Sequence, residues 1–346
     1  MEVNSIVEGF FKSSANNPDK TAIIWGDEKV SYAEVSDNIL KVAGFLDKEG
    51  VSKADRVVFY GEKSPLFLYT YLAIHLVNAI AVPVDVKLPD NRLADLILKT
   101  EPLIVLHPKD IEHPFKQVPF GKNLLDVQPL KNFKFPEKET IADILFTTGT
   151  TGNSKGVKLT HENILAGAEN SNIFIGNNSS DTEIIPLPLH HAFGLRRLRT
   201  NMLLGATVVL VDGFVRPNLF FDAIENYGAN GICMVPAGFS IVKKLMKGTY
   251  VKHFKKLKYI EFGSSPMENS EKEDLAGVLP NTRICMHYGL TEVAANIFIE
   301  FHDSKLKLNA LGKPSPNTFV GIIDESGAML PEKEVGEIVV KGGVQT

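Results

Sequence analysis

Short runs of apolar, β-forming residues recur along this chain with helix-like segments between them, and that alternation constrains the fold more than any other feature. Thr21–Trp25, Arg56–Tyr60, Ile80–Val84 and Ile104–His107 are such runs, with helical segments at Pro65–Val77 and Pro89–Thr100 between them. From residue 180 the rhythm tightens. Glu183–Pro186, Thr207–Val211, Ile232–Val235, Tyr259–Phe262 and Arg283–Met286 are each followed by a helix or a glycine-bearing turn. Strands that read as near-continuous apolar runs are buried on both faces, and alternation with helices implies parallel pairing. The expected class is α/β, with doubly wound sheets flanked by helices. In such sheets ligands collect beyond the carboxyl ends of the strands, so the loops that follow strands are the places to look for chemistry.

Local signals agree with that frame. Ser31 followed by Glu34 reads as a capping box opening a helix that Gly50 closes. Pro108 to Thr140 is polar, contains several prolines, and reads as a connection with little regular structure. The formal charge of −4 gives no electrostatic reason to expect nucleic acid or an anionic membrane as partner. The two cysteines, Cys233 and Cys285, fall in buried-strand patterns and read as reduced core thiols, which suits a cytoplasmic protein. The N-terminal segment lacks an apolar stretch behind a basic start, so no signal peptide is expected. Leu66 to Val84 is the most apolar segment, but His75, Asn78 and Pro83 interrupt it, which favours a core helix and strand over a membrane span.

The strand around Ile144–Phe146 runs into Thr147-Thr148-Gly149-Thr150-Thr151-Gly152-Asn153-Ser154-Lys155-Gly156. Four threonines, three glycines and a lysine in ten residues are hard to justify as packing. Glycines let backbone N–H groups approach an anion, threonine hydroxyls add donors, and the lysine supplies a counter-charge. The spacing is not that of a Walker loop. A surface hairpin would use the same residues, since Val157–Leu159 resumes a strand and Thr160 can cap the next helix. Further on, Tyr288-Gly289-Leu290-Thr291-Glu292 follows the strand Arg283–Met286. A tyrosine ring can stack on a purine, a glycine gives backbone room, a threonine can donate to phosphate, and a glutamate is a hard oxygen ligand suited to Mg²⁺.

The run Phe146 to Gly156 resembles the phosphate-loop signature of the adenylate-forming superfamily: acyl-CoA synthetases, luciferases and peptide-synthetase adenylation domains. Ser154 stands where that family usually has proline. Tyr288–Glu292 is similar to the family's adenylate-binding motif, with His287 just before it. Gly263-Ser264-Ser265-Pro266 resembles the turn whose backbone lies against adenine and whose glycine borders the acyl pocket. Pro188 to Leu195 resembles the substrate-side motif, with His191 at the gate. Gly312-Lys313-Pro314 and Gly336-Glu337-Ile338 look like later landmarks leading into a small β-barrel. The resemblance runs through residues 1–346 and implies a first α/β part at 55–186, a second at 187–310 together with 1–54, and the start of the barrel at 311–346.

Several expectations follow from the resemblance. ATP would be held by Thr147, Thr148, Gly149, Thr150, Thr151, Gly152 and Lys155 at the phosphates, and by Gly263, Ser264, Ser265, Pro266, His287, Tyr288, Gly289 and Thr291 at the adenylate. Glu292 would hold Mg²⁺, with Thr148 as a possible second ligand. Thr148, Lys155, His191 and Glu292 are the expected catalytic set, and His191, Ala192, Gly263 and Ala294 the substrate set. The implied reaction joins a carboxylic acid to AMP with loss of pyrophosphate, then passes the acyl group to a thiol of coenzyme A or of a carrier protein's phosphopantetheine. Amino-acid-activating relatives place an aspartate after the gate residue, where this chain has Ala192. A buried ammonium without that partner is costly, so an acid without an α-amino group is expected, a fatty acid first and an aryl acid second. Arg196, Arg197 and Arg199 read as a solvated basic face opposite Leu195, Leu198 and Met202. Were one of them to point inward, it would suit a second acidic group on the substrate.

Family members continue through a ribose-binding aspartate, a hinge and a mobile lid carrying a lysine. Asp324 and Lys341 come too early to serve, so the resemblance implies a longer natural chain and weak activity of residues 1–346 alone. A luciferase-like oxygenase, a peptide-synthetase adenylation domain and a non-catalytic nucleotide-binding module would share these motifs.

Overall fold

Two mostly parallel sheets enclose a common apolar layer. The computed structural model describes residues 3–85, 87–147, 155–294, 296–303 and 307–342. The first sheet runs Lys116–Val118, Ile104–Leu106, Arg56–Tyr60, Ile80–Val84, Ile141–Thr147, Lys155–Thr160. Its neighbours are parallel except the last pair, an antiparallel hairpin. The second runs Lys313–Pro314, Ile297–Glu300, Arg283–Tyr288, Tyr259–Phe262, Gly231–Met234, Thr182–Ile185, Thr207–Leu210, Thr21–Trp25, Glu28–Ser31. Pairing is parallel from Arg283–Tyr288 across to Thr21–Trp25, and antiparallel strands finish both edges. Thr318–Ile323 and Glu337–Gly342 form a separate antiparallel pair.

The expected α/β architecture is therefore present. One strand departs from the expected division of the chain. A boundary at residue 186 puts Thr182–Ile185 with the first half, whereas it sits inside the nine-stranded sheet between Gly231–Met234 and Thr207–Leu210. Which sheet a fully apolar strand joins depends on what covers its faces, and its own sequence does not specify that.

Successive strand residues point to opposite faces, and the cores follow that rule. Val57 and Phe59 face the layer between the sheets, while Val58 faces the outer core of the six-stranded sheet. Ile23 and Cys233 face the shared layer, while Ile24, Ile232 and Met234 face the outer core of the nine-stranded sheet. Both cysteines are buried and free.

The helix Ala192–Leu204 runs through the shared layer, here called the central helix. It packs on the helices Ile6–Asn16 and His161–Ile175 and on the strands Thr182–Ile185 and Thr207–Leu210. It is buried on every side, and this overturns the expected solvated basic face: Arg196, Arg197 and Arg199 are 5%, 0% and 5% exposed. The reason lies in three acidic residues hidden inside apolar strands. Arg197 makes a two-pronged contact with Glu183, with Nε donating to Oε1 at 2.8 Å and Nη2 donating to Oε2. Arg196 donates to Glu261 at 2.6 Å, and Arg199 donates to Asp143. Glu183 and Glu261 belong to the nine-stranded sheet and Asp143 to the six-stranded one, so three cations and three carboxylates join one helix to both sheets.

Neighbours complete the network. Tyr259 and Asn201 donate to Glu183 at 2.6 and 2.9 Å, and Tyr71 lies between Arg199 and Asp143. Burial alone would raise the carboxyls of Asp143 and Glu261. Arg199 on the first, and Arg196 and Arg197 on the second, hold both below their ordinary range. Breaking one partner of a buried pair strands the other charge, which costs about 3–5 kcal/mol. Arg197→Ala should therefore lower the unfolding free energy by about that much, measured by urea denaturation, with Glu183→Ala added to it costing much less than the two changes summed. Additive losses would show that the pair is not energetically coupled.

Candidate functional site

Strand ends from both sheets open on one cleft of ≈ 850 Å³. One wall comes from the hairpin of the six-stranded sheet, where Thr147 and Lys155 pair across the ladder and both line the cleft. The hairpin continues through Thr160, whose side chain forms a reciprocal cap with Asn163 at the start of the next helix. Of the expected phosphate ligands, Thr148, Gly149, Thr150, Thr151 and Gly152 lie outside the described residues.

The opposite wall follows the strand Arg283–Tyr288 and presents Gly289, Thr291, Glu292 and Ala294 to the cleft. Glu292 is exposed and makes no ion pair among the described residues, so its carboxylate is available to a cation. Tyr288 faces a smaller adjoining cavity of ≈ 310 Å³, shared with Leu290, Glu292 and Val293 and closed by Ile338, Val339 and Val340.

The inner end of the cleft is built by the start of the central helix. His191 is the N-cap residue, and Ala192 and Phe193 follow on the first turn. Gly194 allows this helix to approach closely, because a Cβ there would lie 2.3 Å from the Pro188 carbonyl oxygen. The preceding His190 has its Nε2 3.5 Å from Asp85 Oδ1. Burial, with His191 alongside, pushes His190 down to about 4, and burial also lowers His191.

The turn after Tyr259–Phe262 contributes unevenly. Gly263 lies against the His287 ring, with no room for a side chain: a Cβ would sit 2.0 Å from the ring's Cε1. Ser264 lines the cleft and adopts a left-handed φ of 73°, the kind of strained conformation that collects at sites. Ser265 and Pro266 are exposed and do not line the cleft. Sequence reading missed Phe193, Arg196 and Arg199 as cleft residues. They share one helix face at three-residue spacing, but nothing local marks that face as buried, because the carboxylates that pair with the arginines lie in distant strands.

The arrangement offers a cationic and hydroxyl-bearing wall, a carboxylate on the other wall, and an inner end lined mainly by apolar and aromatic side chains with His287 and Arg196 among them. Such a cleft can grip a polyphosphate beside a less polar ligand.

Comparison with known proteins agrees with the geometry. The family described as AMP-binding enzyme matches residues 10–345. The 2-succinylbenzoate–CoA ligase of Bacillus mycoides is 28% identical over 331 residues, 94% of this chain and 67% of that protein. Among solved structures, the N-terminal subdomain of Klebsiella oxytoca NpsA in complex with 3-hydroxyanthranilyl-AMSN aligns over 99% of this chain and 87% of its own, with a TM-score of 0.87 and 18% identity. ATP-bound MatB from Rhodopseudomonas palustris aligns over 99% and 71%, with a TM-score of 0.88 and 22% identity. No helix among the described residues is long and apolar enough to cross a membrane.

The buried histidines make stability depend on pH. Burial holds the folded-state values of His161, His190 and His287 below the ordinary 6.5. As pH falls through 6.5 the unfolded chain takes up these protons first, so stability drops, by about 1.4 kcal/mol per pH unit for a ring as buried as His161. Below about pH 4 the depressed carboxyls of Asp143 and Glu261 act in the same direction. Urea midpoints should fall steadily from pH 7 to pH 4.5, and flat or rising midpoints would contradict these assignments.

Proposed function

As a member of the AMP-binding enzyme family, this chain, we propose, forms the nucleotide- and acid-binding part of a ligase that activates a carboxylic acid as its acyl-adenylate. The observation that carries the reading is the single cleft with Thr147 and Lys155 on one wall and Thr291 and Glu292 on the other.

The acid's carboxylate attacks the α-phosphorus of ATP. The new P–O bond forms as the bond to the β-phosphate oxygen breaks, and pyrophosphate leaves. The nucleophile is already an anion, so no general base is required, and rate comes from positioning and charge stabilisation. Lys155 offsets charge that builds on the phosphates, and Thr147 and Thr291 donate hydrogen bonds to them. Tyr288 and Gly289 flank the adenine. The unpaired carboxylate of Glu292 fits a hard divalent cation, which would neutralise phosphate charge when bound. In a second step a thiol, of coenzyme A or of a carrier protein, displaces AMP from the acyl carbon.

Ala192 at the inner end of the cleft leaves a substrate ammonium without a carboxylate partner, which favours an acid without an α-amino group. The chamber does not favour the fatty acid expected first. Polar His287 and Arg196 interrupt its apolar lining, and the rings of Phe193 and His287 meet edge-on at 4.5 Å. A compact aryl acid is the better fit, in keeping with the aryl groups named for two of the similar proteins.

The test is acid-dependent exchange of labelled pyrophosphate into ATP by the full-length natural protein over a panel of aryl, fatty, dicarboxylic and amino acids. Aryl acids should be best, and Lys155→Ala or Glu292→Ala should each lower exchange by roughly 10²–10³-fold. Exchange that is best with a simple amino acid, or unaffected by both substitutions, would overturn the proposal.

A further inference from the structure

The inner chamber carries a histidine whose position and tautomer are fixed by its neighbours. The His287 side chain is 7% exposed, yet it lines the cleft. Its Nδ1 lies 2.9 Å from Glu261 Oε1, the Phe193 ring meets it edge-on, and Gly263 lies so near that a Cβ there would come within 2.0 Å of the ring's Cε1. These contacts hold the ring in place. A carboxylate only accepts, so Nδ1 carries the proton and donates to Glu261. In a neutral imidazole the lone pair then falls on Nε2. Burial, reinforced by the Arg196 cation beside it, disfavours the imidazolium. Arg196 Nη2 is 3.3 Å from Nδ1, a longer contact than the one to Glu261.

The chamber therefore presents a fixed hydrogen-bond acceptor. None of the described hydrogen bonds engages Nε2, and it is not among the nitrogens sealed inside the protein. Arg196 and Arg199 also line the cleft, but each is committed to a carboxylate, Glu261 and Asp143. With these three arginines balanced by three carboxylates, none of them is left over to pair a second acidic group on the substrate. A plain hydrocarbon would cover Nε2 and leave it unsatisfied, which costs free energy.

Resting on the adenylation reading above, we propose that His287 selects an acid whose distal end carries a neutral hydrogen-bond donor, a hydroxyl or amino group on an aryl ring. A distal carboxylate, an ether and an unsubstituted ring are each rejected. His287 thus acts as a specificity residue that meets the acyl group, and Glu261 and Gly263 position it.

The test is calorimetric titration of the protein with non-hydrolysable acyl-sulfamoyl adenosines. The acyl groups are benzoyl, its three hydroxy isomers, the three methyl ethers and carboxybenzoyl. At least one hydroxybenzoyl compound should bind roughly ten- to hundred-fold more tightly than benzoyl, with its methyl ether and the carboxy compound losing that gain. In His287→Leu the hydroxyl preference should be lost, with benzoyl and the formerly preferred hydroxybenzoyl compound binding within about threefold of each other. The wild-type ligand series stands by itself if that variant folds poorly. Equal binding of benzoyl and every hydroxy isomer, or tightest binding of an ether or the carboxy compound, overturns the selection by His287 and leaves the adenylation reading standing. No binding of any analogue, or of AMP, overturns both.

Discussion

The buried exchange of charge along the central helix is the constraint on which the rest of the molecule depends. Three arginines within four residues sit in a helix that water does not reach, and their carboxylates come from strands of two different sheets. Each pair would be expensive to separate, because the partner left behind would be an uncompensated charge in an apolar layer. The helix thereby fixes the distance and angle between the sheets, and the cleft at their strand ends inherits that geometry. The residues that line its inner end, His191, Ala192 and Phe193, are the first turn of the same helix.

This arrangement suits a reaction whose rate comes from placement. The hairpin bearing Thr147 and Lys155 belongs to one sheet and the segment Gly289 to Glu292 follows a strand of the other. A ligand gripped by both walls is held by elements that the arginine network keeps in register. The same network decides what the inner chamber offers. Its arginines are paired with carboxylates, and Glu261 is shared between Arg196, Arg197 and His287, which sets the tautomer of the histidine that lines the cleft beside Phe193.

Much of the fold was legible in the sequence because strand and helix periods are local properties. The runs Arg56–Tyr60, Ile80–Val84 and Tyr259–Phe262 fall where they were read, and Ser31 and Glu34 form the expected capping box. The expected residues Thr147, Lys155, His191, Thr291 and Glu292 line one cleft, and they could be picked out because loops after strands advertise themselves by glycines and hydroxyls. What could not be read was anything that depends on a distant partner. Arg196, Arg197 and Arg199 look like a solvated face until Glu183, Glu261 and Asp143 are seen opposite them, and each of those carboxylates is hidden in an apolar strand. The sheet to which Thr182–Ile185 belongs was lost for the same reason.

The central claim is that one cleft between the two sheets binds the adenylate, with phosphates on the Thr147–Lys155 side, the cation on the Thr291–Glu292 side, and the base toward Tyr288 in the adjoining cavity. Calorimetric titration of this chain with ATP and Mg²⁺ tests it most directly. The account predicts a single site that is weakened by Lys155→Ala and by Thr291→Ala alike, although the two residues sit on different sheets. Absence of binding at millimolar ATP, or binding indifferent to both substitutions, would contradict it.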